Sequence, residues 1–170
     1  MTMKITMMNV VTTNSAAETK KFAQSFAKKI LKTPQQQGAF VIGLCGELGS
    51  GKTTFVQGFV REFGIRDRIT SPTFVLMKRY PIAKKSGFSL SALPAGRQAA
   101  GQAFSNIYHF DCYRLENVKE LLDLGFKDTI KNSQNIILIE WPEKIKKALP
   151  KNKIFLKFLF IDDKKREIRY

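Results

Sequence analysis

Residues 46–53 read Gly-Glu-Leu-Gly-Ser-Gly-Lys-Thr, the G-x-x-x-x-G-K-T pattern of a loop that binds phosphate. Glycines let successive backbone N–H groups face an anion, because no Cβ blocks the required φ angles. The pattern predicts that Lys52 contacts the β- and γ-phosphates of a nucleotide and that the Thr53 hydroxyl helps to hold Mg²⁺. The residues expected to line the phosphates are Gly46, Glu47, Leu48, Gly49, Ser50, Gly51, Lys52, Thr53 and Thr54.

The residues on either side of this loop predict a strand before it and a helix after it, the two elements that must position the loop. Residues 39–45 are almost wholly apolar, which is typical of a strand buried on both faces. After the loop, Phe55, Phe59 and Phe63 recur at helical spacing, so a helix N-terminus adds its positive dipole end to the site. The alternative is a glycine-rich turn before an ordinary amphipathic helix. The strand directly upstream favours the nucleotide site.

Two acidic residues end extended segments elsewhere in the chain. Glu140 closes the apolar run of residues 135–140, and a carboxylate there is costly unless it has a partner or a metal ion. We therefore expect Glu140 to share the magnesium ion with Thr53. Asp111 ends the extended segment 104–110, and it either serves the chemistry or caps the next helix. His109, the single histidine, is interpreted as a structural hydrogen-bonding group.

Other patterns outline the rest of the fold. A capping box at residues 15–18 precedes a helix that Pro34 follows, and residues 73–80 are rich in strand formers. A short helix at residues 118–124 is expected to end at Gly125, and the C-terminus has the pattern of a β-hairpin that turns at residues 162–165. Residues 82–103 show no sustained period and are interpreted as a flexible insertion.

Length and composition limit the classes of protein. We expect the 170 residues to form one domain over residues 1–170. No apolar run approaches the ~18–20 residues that span a bilayer, and no signal-peptide pattern is present, so no membrane association is expected. Cys45 and Cys112 fit no zinc spacing and are interpreted as reduced core thiols, which indicates a cytoplasmic protein.

The net charge of +15 arises from 29 Lys and Arg residues against 14 Asp and Glu residues. Such a balance can reflect affinity for RNA or another polyanion, or simple solvation of the surface. The basic residues are dispersed along the chain and become denser near residues 144–153. No aromatic-interleaved RNA-reading motif accompanies them, so composition leaves both explanations open.

Several motifs follow one another along the chain. They are Gly-Glu-Leu-Gly-Ser-Gly-Lys-Thr-Thr-Phe at 46–55, Ser-Pro-Thr-Phe at 71–74, His-Phe-Asp-Cys-Tyr-Arg-Leu at 109–115, Glu120-Leu121, Gly125, and Ile-Glu-Trp-Pro-Glu at 139–143. In this order they resemble the motifs of the TsaE (YjeE) family. The resemblance covers the chain from the loop strand to the Glu140 segment, and more loosely both ends. The loop is shared by many proteins, whereas the later motifs are far more specific.

The resemblance implies an α/β protein with a three-layer P-loop NTPase fold. We expect a mainly parallel central sheet, antiparallel edge strands and flanking helices. It also implies a weak ATPase that acts with the TsaD and TsaB proteins in forming threonylcarbamoyladenosine on tRNAs that read ANN codons. In this view Lys52 contacts phosphate, Thr53 and Glu140 hold Mg²⁺, Asp111 is the catalytic carboxylate, and residues 71–74 form a switch-like loop.

Two features depart from what the resemblance implies. Residues 82–103 form a longer connection than expected, and the positive charge would strengthen contact with tRNA.

The main alternatives are a small-molecule phosphotransferase and a non-catalytic nucleotide sensor. The phosphotransferase would need an arginine-bearing lid, and the insertion offers only Arg97. Guanine-nucleotide switches and transporter ATPases are excluded, because Asn-Lys-x-Asp and Leu-Ser-Gly-Gly motifs are absent.

Overall fold

A computed structural model describes residues 9–34, 36–72, 75–83 and 104–170. These residues form seven β-strands, four α-helices and one 3₁₀ segment. The elements are β1 Val10–Thr13, α1 Ala16–Leu31, β2 Phe40–Cys45, α2 Lys52–Glu62, β3 Met77–Pro81, β4 Asn106–Asp111, α3 Val118–Asp123, α4 Phe126–Lys131, β5 Asn135–Glu140, a 3₁₀ segment Pro142–Ala148, β6 Lys153–Phe160 and β7 Arg166–Arg169.

The strands form one mixed sheet in the order β1-β7-β6-β2-β5-β4-β3. The four central strands β6, β2, β5 and β4 pair in parallel. Towards the edges, β3 pairs with β4, β7 with β6 and β1 with β7 in antiparallel fashion. The predicted α/β class, with a parallel centre and antiparallel edges, is therefore confirmed.

Each face of the sheet is covered by its own apolar cluster. Side chains of a strand alternate between faces, so Ile42 joins the cluster beneath α1 and α2, whereas Val41 joins the cluster beneath α3, α4 and the 3₁₀ segment. Gly43 follows on the second face, where an added Cβ would meet the Phe155 ring at 2.6 Å and Pro142 at 3.0 Å. The sheet thus lies between two layers of helices.

Local sequence signals explain where α1 and α2 begin. The Ser15 hydroxyl accepts a hydrogen bond from the Glu18 N–H over 3.1 Å, as the capping pattern predicts. The Glu18 carboxylate accepts from the Asn14 N–H over 2.8 Å, so the reciprocal bond lies one residue earlier than in a standard capping box. Helix α2 begins after Gly51, whose φ of 101° requires glycine.

Helices α1 and α2 approach each other closely at Gly58. A Cβ at this position would lie 2.4 Å from the carbonyl oxygen of Lys20. Such a distance is shorter than van der Waals contact, so only glycine fits there. This contact fixes α2, the helix that begins with Lys52 and Thr53, against α1.

Several predicted boundaries were wrong. β3 begins at Met77, because Val75 and Leu76 form a turn in which Leu76 has a φ of 61°. The sequence analysis did not predict β1, α4 or the 3₁₀ segment. The predicted strand residues 73–74 and nearly all of the predicted insertion at 82–103 lie outside the described residues. Within the described ranges, no helix combines the length and apolar character needed to cross a bilayer.

Candidate functional site

Three neighbouring strands of the sheet end at one level and bring the predicted acids together. In the parallel register, Glu140 of β5 pairs with Leu44 of β2 on one side and with Asp111 of β4 on the other. The glycine loop follows β2 directly. Ligands of open α/β sheets bind at this carboxyl edge, so the topology unites residues that are far apart in sequence.

Lys52, the first residue of α2, is buried and turned back into its own loop. Its Nζ donates hydrogen bonds to the carbonyl oxygens of Gly46 and Glu47, each over 2.8 Å. The ammonium group also lies 4.5 Å from the centre of the Trp141 ring, within cation–π range. Burial lowers the pKa of Lys52, and the nearby carboxylates of Glu140 and Asp111 oppose that shift. The ammonium group of Lys52 is therefore held inside the glycine loop by the carbonyl oxygens of that loop.

Glu140 is 4% exposed and connects α2 to the sheet. Its Oε1 accepts a hydrogen bond from the Thr53 hydroxyl over 2.9 Å and lies 2.9 Å from Nε2 of His109. The structure therefore brings together the two residues predicted to hold magnesium. The interpretation of His109 as a structural hydrogen-bonding group agrees with this contact, although its partner was not predicted. The Nδ1 atom of His109 is buried and has no hydrogen-bond partner among the described residues.

Asp111 is 3% exposed and uses its two carboxylate oxygens differently. Its Oδ2 accepts a short hydrogen bond from the Ser71 hydroxyl, and its Oδ1 accepts from the Tyr113 N–H over 3.0 Å. The next helix, α3, has Asn117 as its N-cap, so the alternative in which Asp111 caps that helix is wrong. Asp111 instead ties the loop that contains Ser71 to the end of β4.

A cleft of about 240 Å³ lies among these groups and is lined by Lys52, Thr53, Asp111 and Glu140. Its floor is polar, with two buried carboxylates and a lysine, and its rim is aromatic. The Tyr113 and Trp141 rings are 5.2 Å apart at one side. Trp141 has a φ of 59°, a conformation that is strained for a bulky residue and that often occurs at functional sites.

The predicted loop residues form the opposite wall of this cleft. Leu48, Gly49, Gly51 and Thr54 line it, whereas Ser50 is fully buried and its hydroxyl lacks a hydrogen-bond partner among the described residues. Gly46 has a φ of 141°, and an added Cβ would lie 2.5 Å from the Phe158 carbonyl oxygen. The loop is therefore packed tightly against β6 at Gly46 and is open to the cleft at Leu48, Gly49 and Gly51. Glu47 is exposed and contributes its carbonyl oxygen to Lys52.

Sequence reasoning missed Arg166, which reaches the loop from the C-terminal hairpin. Its Nη2 donates to the Gly49 carbonyl oxygen over 3.1 Å, and its guanidinium lies 4.5 Å from the centre of the Phe160 ring. The same side chain donates to the carbonyl oxygens of Asp162 and Lys165. No local motif marks this residue, because its position depends on the antiparallel pairing of β6 with β7.

The sheet order and the site define an α/β protein that carries a G-x-x-x-x-G-K-T loop between a parallel strand and a helix. The chain belongs to the TsaE family, because the family model described as threonylcarbamoyl adenosine biosynthesis protein TsaE matches residues 13–168.

Several relatives from this family cover most of the chain. A Haemophilus influenzae protein named tRNA threonylcarbamoyladenosine biosynthesis protein TsaE is 34% identical over 84% of this chain and 77% of its own length. The Rickettsia prowazekii protein of the same name is 34% identical over 91% of this chain and 89% of its own length. The crystal structure of Bacillus subtilis YdiB superposes with a TM-score of 0.62 and 25% identity, covering 95% of this chain and 82% of that one.

Proposed function

We propose that this chain is the ATPase subunit of an assembly that forms threonylcarbamoyladenosine on tRNA. The observation that carries the proposal is the convergence of Lys52, Thr53 and Glu140 at the mouth of the glycine loop. A cation, a hydroxyl and a carboxylate at these positions fit the groups of a magnesium-bound triphosphate. The family membership supports the same biosynthetic role.

The conformation of the loop supports the proposal of phosphate binding. Gly49 and Gly51 have φ angles of 73° and 101°, values that glycine adopts without strain, and glycines at such angles allow successive backbone N–H groups to face an anion. Lys52 would exchange its two carbonyl acceptors for phosphate oxygens of higher charge. The start of α2 adds further N–H donors at the same place.

The residues present also fit Mg²⁺. This ion prefers oxygen ligands and takes only one or two from the protein when a nucleotide supplies the others. The Thr53 hydroxyl and the Glu140 carboxylate are 2.9 Å apart, and a cation stabilises a buried carboxylate. When bound, Mg²⁺ neutralises charge on the β- and γ-phosphate oxygens. His109 holds the Glu140 carboxylate in place from the opposite side.

In the proposed reaction, Asp111 orients the attacking water. The water oxygen forms a bond to the γ-phosphorus, and the bond from that phosphorus to the β–γ bridging oxygen breaks. One proton of the water stays on the attacking oxygen and the other passes to a phosphate oxygen, so that ADP and protonated phosphate leave. Lys52 stabilises the charge that develops on the phosphate oxygens. The Ser71 hydroxyl, which already donates to Asp111, would hold that carboxylate in position.

We further propose that TsaD and TsaB are the partners and that tRNAs reading ANN codons are the modified molecules. The modification chemistry would occur on the partners, and ATP turnover here would reset the assembly between rounds. The tRNA substrate would place the activity in the cytoplasm.

The test is phosphate release from Mg·ATP by the isolated chain and by the chain with TsaD and TsaB. We expect slow release alone and a clear rise with the partners, together with co-purification that depends on ATP. No rise with partners, combined with ATP loss that requires a small acceptor, would instead identify a phosphotransferase. ATP binding without any turnover would identify a nucleotide sensor.

A further inference from the structure

A second cleft lies at the far end of α2 and is lined by arginines. Arg61 extends from the last turn of the helix, and Arg66 and Arg68 extend from the loop that follows. The cleft has a volume of about 280 Å³, and Gln57 and Ile69 complete its wall. We call it the arginine cleft. It does not share any lining residue with the cleft lined by Lys52, Thr53, Asp111 and Glu140, which we call the nucleotide cleft.

The three guanidinium groups of the arginine cleft differ from the other arginines that the structure describes. Each of the others contacts a neighbouring group, as Arg79 does with Asn106 over 2.9 Å and Arg169 with Glu167 over 2.6 Å. Within the described residues, the guanidinium groups of Arg61, Arg66 and Arg68 make no hydrogen bond or ion pair. Their donors are therefore available to a ligand.

One acid, Asp67, also lines the arginine cleft. Its charge acts on the buried Tyr80, where it adds to the larger effect of burial in raising the pKa of the phenol. Three cations against one anion leave a net positive cleft. Arg61 by itself is explained by the negative end of the α2 dipole, which favours cations in the last turn. Arg66 and Arg68 lie beyond the helix and have no such explanation.

The loop that carries these arginines is anchored rather than loose. The Gln57 Nε2 donates to the Ile69 carbonyl oxygen over 3.0 Å, and the Ile69 side chain is 5% exposed. An anchored loop backbone loses less conformational entropy when its side chains bind a ligand, and the planar guanidinium forks suit phosphate oxygens. Three such groups on a chain of net charge +15 fit a polyanionic backbone better than a single small anion.

On the basis of the proposed function, we propose that the arginine cleft docks the phosphate backbone of tRNA. Arg61, Arg66 and Arg68 each contact backbone phosphates, and the nucleotide cleft at the other end of α2 stays accessible. The recognition is independent of base sequence, because guanidinium–phosphate contacts position a nucleic acid without reading it.

The test compares two triple variants in binding to an unmodified tRNA transcript that reads an ANN codon, between 50 and 200 mM salt. The first variant carries Arg61→Ala, Arg66→Ala and Arg68→Ala. The matched control carries Lys146→Ala, Lys147→Ala and Lys151→Ala, which remove the same charge from exposed positions around the 3₁₀ segment, on the opposite face of the sheet.

We expect the arginine variant to bind tRNA at least about tenfold more weakly at 100 mM salt, with the slope of log K against log salt reduced by about two. The control should keep most of the affinity and slope. Equal behaviour of the two variants would overturn the proposal. So would an arginine variant that binds tRNA normally but loses stimulation by TsaD and TsaB, because the cleft would then dock protein.

Calorimetry with Mg·ATP on the same samples separates this proposal from the proposed function. Both variants should bind Mg·ATP as the unaltered chain does, which also shows that they are folded. A chain that fails to bind Mg·ATP refutes the proposed function, whatever its affinity for tRNA. A single Arg68→Glu variant provides a second measurement, and it should weaken tRNA binding more than Arg68→Ala does.

Discussion

The Thr53 hydroxyl donates a hydrogen bond to Oε1 of Glu140 over 2.9 Å, although the two residues are 87 positions apart. The contact joins the first turn of α2 to the end of β5. His109 contacts the same oxygen from β4, also at 2.9 Å. One carboxylate oxygen thus connects three elements at the point where a magnesium-bound nucleotide is proposed to lie.

Replacing Glu140 by Gln should separate its charge from its hydrogen bonds. The amide oxygen can still accept from Thr53, but the negative charge that attracts Mg²⁺ is lost. We expect affinity for ATP in the presence of Mg²⁺ to fall at least about tenfold, since even indirect partners of a metal ion contribute 10–100-fold. Calorimetry with and without Mg²⁺ measures the effect. Glu143→Gln, an exposed neighbour, serves as the control, and equal losses in both variants would argue against a metal role.

Lys52→Ala should abolish tight ATP binding. The variant removes the cation that is proposed to contact the phosphates, and two charge-assisted hydrogen bonds of about 1.5–3 kcal/mol each correspond to a loss of about 100-fold or more. Calorimetry with Mg·ATP measures the loss, and the exposed Lys157→Ala should bind normally. Retention of full affinity by Lys52→Ala would contradict the assignment of the loop as the phosphate site.

Asp111→Asn tests the proposed catalytic role of Asp111 while keeping its structural contact. The Asn side-chain oxygen can still accept from the Tyr113 N–H, whereas the charge that orients water is lost. We expect ATP affinity to change little and turnover in the presence of TsaD and TsaB to fall about 100-fold or more. Asp128→Asn, at a fully solvated position of α4, is the control. Normal turnover by Asp111→Asn would reduce Asp111 to a loop-fixing residue.

Cys45 and Cys112 should react slowly with thiol reagents in the folded protein. Burial raises the pKa of each thiol to about 12, and the nearby Glu143 adds to the effect at Cys45. At pH 8 the reactive thiolate is then about a thousandfold scarcer than for a thiol with the ordinary pKa of 9.0. Maleimide labelling with and without denaturant measures the difference. Fast labelling of the native protein would contradict the buried environment.

The same shift predicts how these thiols affect stability at high pH. The unfolded chain loses each thiol proton near pH 9.0, whereas the folded chain keeps it to about pH 12. The thiol contribution is therefore fully present below pH 9.0 and is lost as the pH rises toward 12. Cys45→Ala should show a smaller fall in melting temperature over that range than the unaltered chain does.

Gly58→Ala should destabilise the packing of α1 on α2. The added methyl group would lie 2.4 Å from the Lys20 carbonyl oxygen, and relief requires backbone movement. We expect a net loss of about 1–3 kcal/mol in the free energy of unfolding, even though alanine is the better helix former. Urea denaturation measures it. Lys21→Ala, an exposed position on α1, should change stability by less than about 0.5 kcal/mol.

The sequence predicted the elements whose signals are local. The apolar run before the loop predicted β2, because a strand buried on both faces is apolar at every position. The helical spacing of phenylalanines predicted α2, because a helix buried on one face is apolar only once or twice per turn. For these two elements the relevant physics is contained within a few residues. The proximity of Thr53 and Glu140 was predicted from two separate signals, the loop motif and the acid that ends the apolar run of residues 135–140.

The features that were missed depend on tertiary contacts. β1 has only four residues and gains its hydrogen bonds from β7, so no periodic pattern marks it. Gly125 was interpreted as the end of a helix, but with a φ of 75° it both closes α3 and begins α4. The contact of Arg166 with the Gly49 carbonyl oxygen requires the hairpin to be already in place.

The position of β2 in the sheet has a consequence for synthesis of the protein. β2 precedes the glycine loop, yet its two neighbours, β5 and β6, come about ninety residues or more later in the chain. Parallel pairings at such separations form late, because the intervening chain must be ordered first. A nascent polypeptide on the ribosome therefore completes both neighbours of β2 only after β6, which ends at Phe160, has been translated.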